Sequence, residues 1–452
     1  MAKAKTSSWF SSQKARVLKK WQSNSPGNSV FRNMAVLASG SGIAKVLGAI
    51  SIPIITRIYT PEHMGVLSVF VAMTAMLVPF GTLRYSMALP LPKNDGLAVN
   101  LAVLCLISLG VMSTVSALVL SLFARPILAL LDMQLLMPYW WLLIIAVVGA
   151  GFYEILSQWA TREKAFKVVA KTNVWQSICG SLVKIGLGLL ALKPLGLLLG
   201  HVVTQAGGIL SLTNSFKNKF RAGGRFVTKR RILFLLKHYS NFPKYRLPSQ
   251  FLLVFSVQAP LIFSAKLFGA ETTGQLGLAL TALALPIALF GQTTGQAYYG
   301  EIAKVGRKNP EKIRKITKYV LKRLFMLSVV PALILVIYGP WLFSISFGEE
   351  WGRAGIFARI LAIYLVAQFV SSPLMSVLNV FERQGLFLRF NVVRVSLVVL
   401  IFYFSFLFSF SPTLTIIIYS IVLTAHYSAI SFNIYRLIKR AGSRNLNSGI
   451  SG

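Results

Sequence analysis

The chain has 452 residues, of which 55% are hydrophobic and only 13% charged, with a mean hydropathy of +0.67. That balance excludes a soluble globule, because too few polar groups are present to cover a water-facing surface. The 47 Lys and Arg against 11 Asp and Glu give a net charge of +36, which suits nucleic acid unless the charges fall in membrane loops.

In chain order, residues 1–32 read as a basic tail. Lys3, Lys5, Lys14, Arg16, Lys19 and Lys20 lead into no apolar core or small-residue cleavage site, so the segment does not read as a signal peptide. Gln13–Trp21 sets Val17, Leu18 and Trp21 at helical spacing among cations, which fits either a helix on the inner leaflet or a solvated tail. Twelve apolar runs follow, each near the roughly 20 residues that a bilayer core requires. The first six are Asn33–Thr56, Met64–Leu83, Leu97–Phe123, Met137–Leu156, Val174–Leu192 and Leu195–Leu212. The basic segment 214–247 then carries Lys229, Arg230 and Arg231 ahead of Ile232–Leu236 and reads as an interfacial helix joining two halves. The second six are Pro248–Ala265, Leu276–Ala297, Leu324–Phe347, Ala354–Val377, Leu386–Phe410 and Thr413–Tyr435, with 436–452 as a tail. The expected domains are therefore six-helix bundles at 33–213 and 248–435.

The polar segments test this path. Those on the side of the termini, with Arg389 and Arg394 counted at the adjoining span end, hold 39 of the 47 Lys and Arg. Positive residues gather on the cytoplasmic side of a membrane, so both termini are expected there, in a bacterial inner membrane. Anionic headgroups then account for most of the net charge, and no nucleic-acid partner is expected. Internal repetition is visible as well. Arg57–Leu67 and Lys266–Leu276 share Glu, Gly and Leu positions at a shift of 209, Gly65 matching Gly274. Pro53 and Pro79 match Pro260 and Pro286 at a shift of 207. Duplicated six-span units lie parallel, related by an axis along the membrane normal, although proline is common in membrane helices in any case.

No Walker motif, HExxH, GxSxG or dinucleotide fingerprint occurs. Cys105 and Cys179 lie in apolar runs without CxxC spacing, and His63, His201, His238 and His426 are scattered, so neither a metal nor another cofactor is expected. What stands out is positive charge inside the spans, where each ion costs at least about 2.5 kcal/mol and marks a pathway by default. Lys45 sits mid-span between Ser41 and Gly48, small residues suited to a cavity wall; neutralisation by carbonyls or a distant carboxylate is the structural alternative. Lys184 lies nearer an outer end, where snorkelling competes. Arg394, then Arg389, are weaker cavity cations, and Arg84 and Arg246 sit at inner span ends, where interfacial anchoring competes. Glu154 is the one carboxylate that penetrates appreciably; with His201 and His426 it could couple transport to protons, beside a structural role for each. An electropositive interior suits an anion such as a phosphate or pyrophosphate.

Thr56–Gly65, and Arg84-Tyr85 through Leu91–Asp95, resemble motifs of the polysaccharide-transport proteins, the O-antigen-type flippases of lipid-linked oligosaccharides. These share a superfamily with multidrug and toxic-compound extruders and peptidoglycan lipid flippases. The resemblance implies alternating access between two bundles and a substrate of undecaprenyl pyrophosphate-linked oligosaccharide, with cavity cations receiving the pyrophosphate. Membrane lipids, and possible contacts with polysaccharide polymerase and chain-length machinery, complete the implied partners. Ser86 stands where relatives often carry Glu. The competing readings are a cation-coupled small-molecule exporter of the same superfamily and a membrane-embedded glycan polymerase or ligase.

Overall fold

The computed structural model describes residues 26–448 apart from 288, 290, 291 and 308; the expected tail helix Gln13–Trp21 lies outside them. The described chain is helical, without strands. The first half comprises α1 (Pro26–Ile58), α2 (Pro61–Gly81), α3 (Asp95–Leu130), α4 (Trp140–Arg162), α5 (Phe166–Leu189), α6 (Leu195–Ala206) and its continuation α7 (Ile209–Gly224). The amphipathic α8 (Lys229–His238) links the halves. Then come α9 (Leu247–Pro286), α10 (Gln292–Val305), α11 (Pro310–Phe347), α12 (Gly352–Ser371), α13 (Gln384–Leu407) and α14 (Pro412–Ser448).

Ten helices are long and apolar enough to cross a membrane among the described residues. Two adjustments bring this to twelve spans. Gly269 (φ 77°) divides α9 into two arms, and α5 falls short only because Lys167, Lys171, Asn173, Gln176 and Lys184 dilute its hydropathy. The chain is thus a polytopic all-α membrane protein of twelve helices in two six-helix bundles. The face at which α1 begins and α14 ends is called the basic face here.

The same pairings build both lobes, as duplication requires. α1 packs on α5 as the first arm of α9 packs on α13; α3 on α4 as α11 on α12; α4 on α6 as α12 on α14; α5 on α6 as α13 on α14. Each lobe keeps its own apolar core, around Phe70, Leu143 and Leu197 in the first and Phe357, Leu361 and Val398 in the second.

Several boundaries differ from expectation for local reasons. The eighth span, expected to run to Ala297, is α-helical to Pro286, widens to π-helix at Ile287 and Leu289, and is α-helical again from Gln292; Pro286 removes one α-helical hydrogen bond there. α11 begins 14 residues before the apolar run, carrying Lys312, Arg314, Lys315, Lys318, Lys322 and Arg323 on a basic extension capped by Asn309 (Lys312 N–H to Oδ1, 3.0 Å). The expected tail 436–452 continues α14 as helix to Ser448. α8 is a helix of its own, started by Thr228, whose side chain accepts from Arg231 N–H. It is tied to the first lobe: Tyr85 Oη donates to Leu236 O (3.1 Å), and Asn100 bonds Phe226 O (2.9 Å) and Thr228 N–H (3.0 Å).

Candidate functional site

The lobes meet most intimately at the face opposite the basic one, where α2 and the second arm of α9 begin. A Cβ on Gly65 would collide with the carbonyl of Ala270, and one on Gly274 with the carbonyl of Pro61. These two contacts are one contact repeated, because Ala270 is the 209-shifted equivalent of Pro61 and Gly274 that of Gly65. Ser68 touches Gly277, its own equivalent. The pseudo-two-fold axis therefore passes through this crossing, and small residues let the backbones approach as in close-packed membrane helix pairs. Around it, Trp351 Nε1 donates to Thr56 O (3.1 Å) and Arg57 to Ile345 O (3.3 Å), both from one lobe to the other. Toward the basic face the lobes touch through Phe80 and Phe251, with ring centroids 5.4 Å apart.

Lys45 lies on the face of α1 turned toward the second lobe. Gly42, one turn before it, approaches Leu289 (3.7 Å from a built Cβ), and Ile52, two turns after, packs against the core of the second lobe. At 100° per residue Gly42 and Ile52 lie about 60° and 20° to either side of Lys45, which is half-buried between them. Ser41 and Gly48 do not share that role and correct the expectation of a small-residue cavity wall. Asn173 Nδ2 donates to Ser41 Oγ (3.2 Å), Ser177 Oγ to Ala44 O (2.7 Å), and Gly48 packs on Ser177, so this stripe is the seam with α5. Small residues on a membrane helix serve close helix packing at least as often as cavities.

Lys184 is inside the first lobe, its stem against Gly200 of α6 and its charge within reach of His201, which meets Phe70 edge-on at 5.8 Å. Tyr59 Oη donates to the Lys184 carbonyl (2.8 Å); burial pushes this phenol up to about 12, so the donor stays protonated at neutral pH.

Arg394 is 8% exposed and sits among α9, α12, α13 and α14. Its guanidinium donates to Tyr427 Oη (2.9 Å), Leu253 O (3.4 Å) and Ser256 Oγ. Every one of these acceptors is neutral. Tyr364 and Tyr419 close the surrounding aromatic cluster, and His426 lies beside it. Sequence reading missed this cluster, although tyrosines recurring mid-span at 364, 419 and 427 were a visible signal for an intramembrane polar partner.

Arg84 is neither a free cavity cation nor an interfacial anchor. It adopts left-handed backbone (φ 62°) and pairs with Glu154 at 3.0 Å, both side chains largely buried, and Ser86 Oγ donates to the same oxygen at 2.9 Å. The carboxylate absent from position 86 is thus supplied by α4. One Glu154 oxygen thus accepts from both an arginine and a hydroxyl. Arg246 and Arg389 are exposed at the basic ends of α9 and α13. The expected site residues do not form one cluster: Lys184 with His201 lies in the first lobe, Arg394 with His426 in the second, and Lys45 on the face between them. Among the described residues, no group of His, Cys, Asp and Glu is placed to hold a metal ion.

The comparisons agree with this architecture. The model of the family described as polysaccharide biosynthesis protein matches residues 54–355. No curated protein shows a significant match. Among solved structures, the lipid II flippase MurJ in an inward closed conformation is similar at 11% identity over 91% of each chain, with a TM-score of 0.66. A variant of the Vibrio cholerae MATE transporter VcmN is similar at 15% identity over 91% of this chain and 97% of that one, TM-score 0.54. An inward-facing multidrug resistance MATE family transporter of the MOP superfamily follows at 15% identity over 91% and 95%, TM-score 0.53. The chain belongs to the polysaccharide biosynthesis protein family, on a two-lobed fold shared with the MurJ and MATE structures.

Proposed function

We propose that this protein is a flippase that moves an undecaprenyl pyrophosphate-linked oligosaccharide, an O-antigen unit or a related surface glycan, across the bacterial cytoplasmic membrane. The basic face is the cytoplasmic one, both termini lie there, and the headgroup passes between the lobes by alternating access. The observation that supports this reading is the sign of the interior. Glu154, the carboxylate set deepest into a described span, is engaged by Arg84, whereas Arg394 is bonded only to neutral acceptors and Lys45 faces the other lobe. A net positive, weakly screened interior attracts a pyrophosphate or sugar acid and repels a free cation. Lys45 receives the headgroup at mid-depth, and Lys184 and Arg394 sustain the positive field from within each lobe. The movement itself separates the two helix starts at Gly65 and Gly274, so that the headgroup leaves through the opposite face. Surface-glycan polymerase and chain-length machinery would receive the product there.

Purified protein in liposomes with a defined glycolipid tests the reading. Wild type should flip it, Lys45→Ala should reduce the rate by an order of magnitude or more, and Lys45→Arg should keep part of it because the charge remains. Absence of flipping by the wild type refutes the proposal. The likeness to MATE transporters supports a second reading, a cation-coupled exporter of small molecules; it gains if Lys45→Ala leaves glycan assembly intact but changes drug sensitivity.

A further inference from the structure

A groove in the second lobe takes no part in the headgroup path described above. It lies between the second arm of α9, α11 and α12, and its volume is about 180 Å3. Leu283, Ala362 and Phe369 form a buried floor, while Pro286, Leu327 and Pro331 are exposed along the open side. Ser328 is the one polar side chain on the wall, and its hydroxyl donates to Phe325 O at 3.0 Å. The groove therefore offers water nothing to bond. An apolar cavity of about 150 Å3 in a well-packed protein stays dry and accepts benzene, so the natural occupant of this one is hydrocarbon.

Depth narrows the choice. Counted at 1.5 Å per residue from the opposite-face ends of the three helices, the lining positions lie about 15 to 30 Å into the membrane, within the leaflet of the basic face. Lys45, counted from Ile58, lies about 20 Å in. The two sites flank one helix: the α9 arm that contributes Leu283 and Pro286 to the groove leads on to Leu289, which approaches Gly42, one turn from Lys45. A bulk phospholipid keeps its headgroup at the interface and lets its chains descend from there. A lipid whose headgroup has been drawn to Lys45 must turn its chain sideways at mid-leaflet, and the groove opens sideways at that level.

We infer that the groove between α9, α11 and α12 seats the polyisoprenoid chain of the carried lipid while its headgroup is at Lys45; this rests on the flippase reading.

The test uses the full-length protein in liposomes with a short polyprenyl phosphate bearing a diazirine on its chain, and mass spectrometry of the labelled peptides. Labelling is expected on 327–335 and 362–369, falling at least fivefold with excess unlabelled polyprenyl phosphate and in Ala332→Trp. Glycolipid flipping by Ala332→Trp should fall about tenfold and by Ala332→Leu less, at unchanged size-exclusion profile. If the tryptophan variant does not fold, Ala332→Leu and labelling of the wild type decide. A photoactivatable phosphatidylethanolamine that labels the same peptides and is not displaced by polyprenyl phosphate would make the groove a bulk-lipid site and overturn the inference. So would label confined to other helices, or flipping by a folded Ala332→Trp at the wild-type rate. Normal wild-type flipping without groove labelling overturns the groove alone, whereas a wild type that flips no glycolipid overturns the function.

Discussion

Arg84 and Glu154 show how a charged residue at a span end acquires its role from a neighbour that no local pattern announces. Each was readable as charged and as partly submerged, and the two are 70 positions apart. Breaking a buried charged hydrogen bond leaves the surviving partner desolvated, so Arg84→Ala and Glu154→Ala should each destabilise the first lobe by about 1.5 to 3 kcal/mol. The double variant should cost less than the two together, and thermal unfolding in detergent measures both. Additive losses would show that the pair is not an energetic unit. Lys45 is the converse case: its depth was legible from position alone, but the stripe it occupies became known only from Gly42 and Ile52 on either side. Ser41 and Gly48, on the adjoining side of the helix, pack on α5, and small side chains carry no sign of whether they face a void or a helix.

At the level of elements, the crossing of α2 with the second arm of α9 has the narrowest tolerance. No side chain fits at Gly65 or Gly274, since each faces a backbone carbonyl of the other lobe. Gly274→Leu should therefore keep the lobes apart at the face opposite the basic one, raising the reactivity of a thiol placed at the buried Thr56, which meets Trp351 of the other lobe, toward a membrane-impermeant maleimide added on that side. Unchanged reactivity would mean that the crossing yields without opening. The 209-residue repeat drew attention to these glycines, while their mutual contact is a property of the assembled pair. α5 teaches a related lesson. Its lysines and amides lower its hydropathy below that of a span, yet Asn173, Ser177 and Ser181 are bonded to α1, so polarity that looks costly in sequence is satisfied between helices.

For the whole molecule, alternating access requires the pseudo-two-fold crossing to open and close. Ser68 and Gly277 meet on its axis; a Cβ built on Gly277 lies 3.1 Å from Ser68 Cβ, near the separation of about 3.8 Å that a disulfide spans. In a background with Cys105→Ser and Cys179→Ser, Ser68→Cys with Gly277→Cys should cross-link on oxidation, stop glycolipid flipping and recover it on reduction. Full transport by the oxidised protein would show that the lobes do not part there.

The number of spans, the gathering of cations at alternate polar segments and the internal duplication were all legible in the amino-acid order. Span length and hydropathy are local quantities, and a duplication is a comparison of the chain with itself. Packing in three dimensions set which charges meet, as with Arg84 and Glu154, which find neutral partners, as with Arg394, and which lie toward the other lobe, as with Lys45. Those outcomes depend on the rotation of each helix about its axis and on the identity of its neighbour, and neither is encoded within a single span.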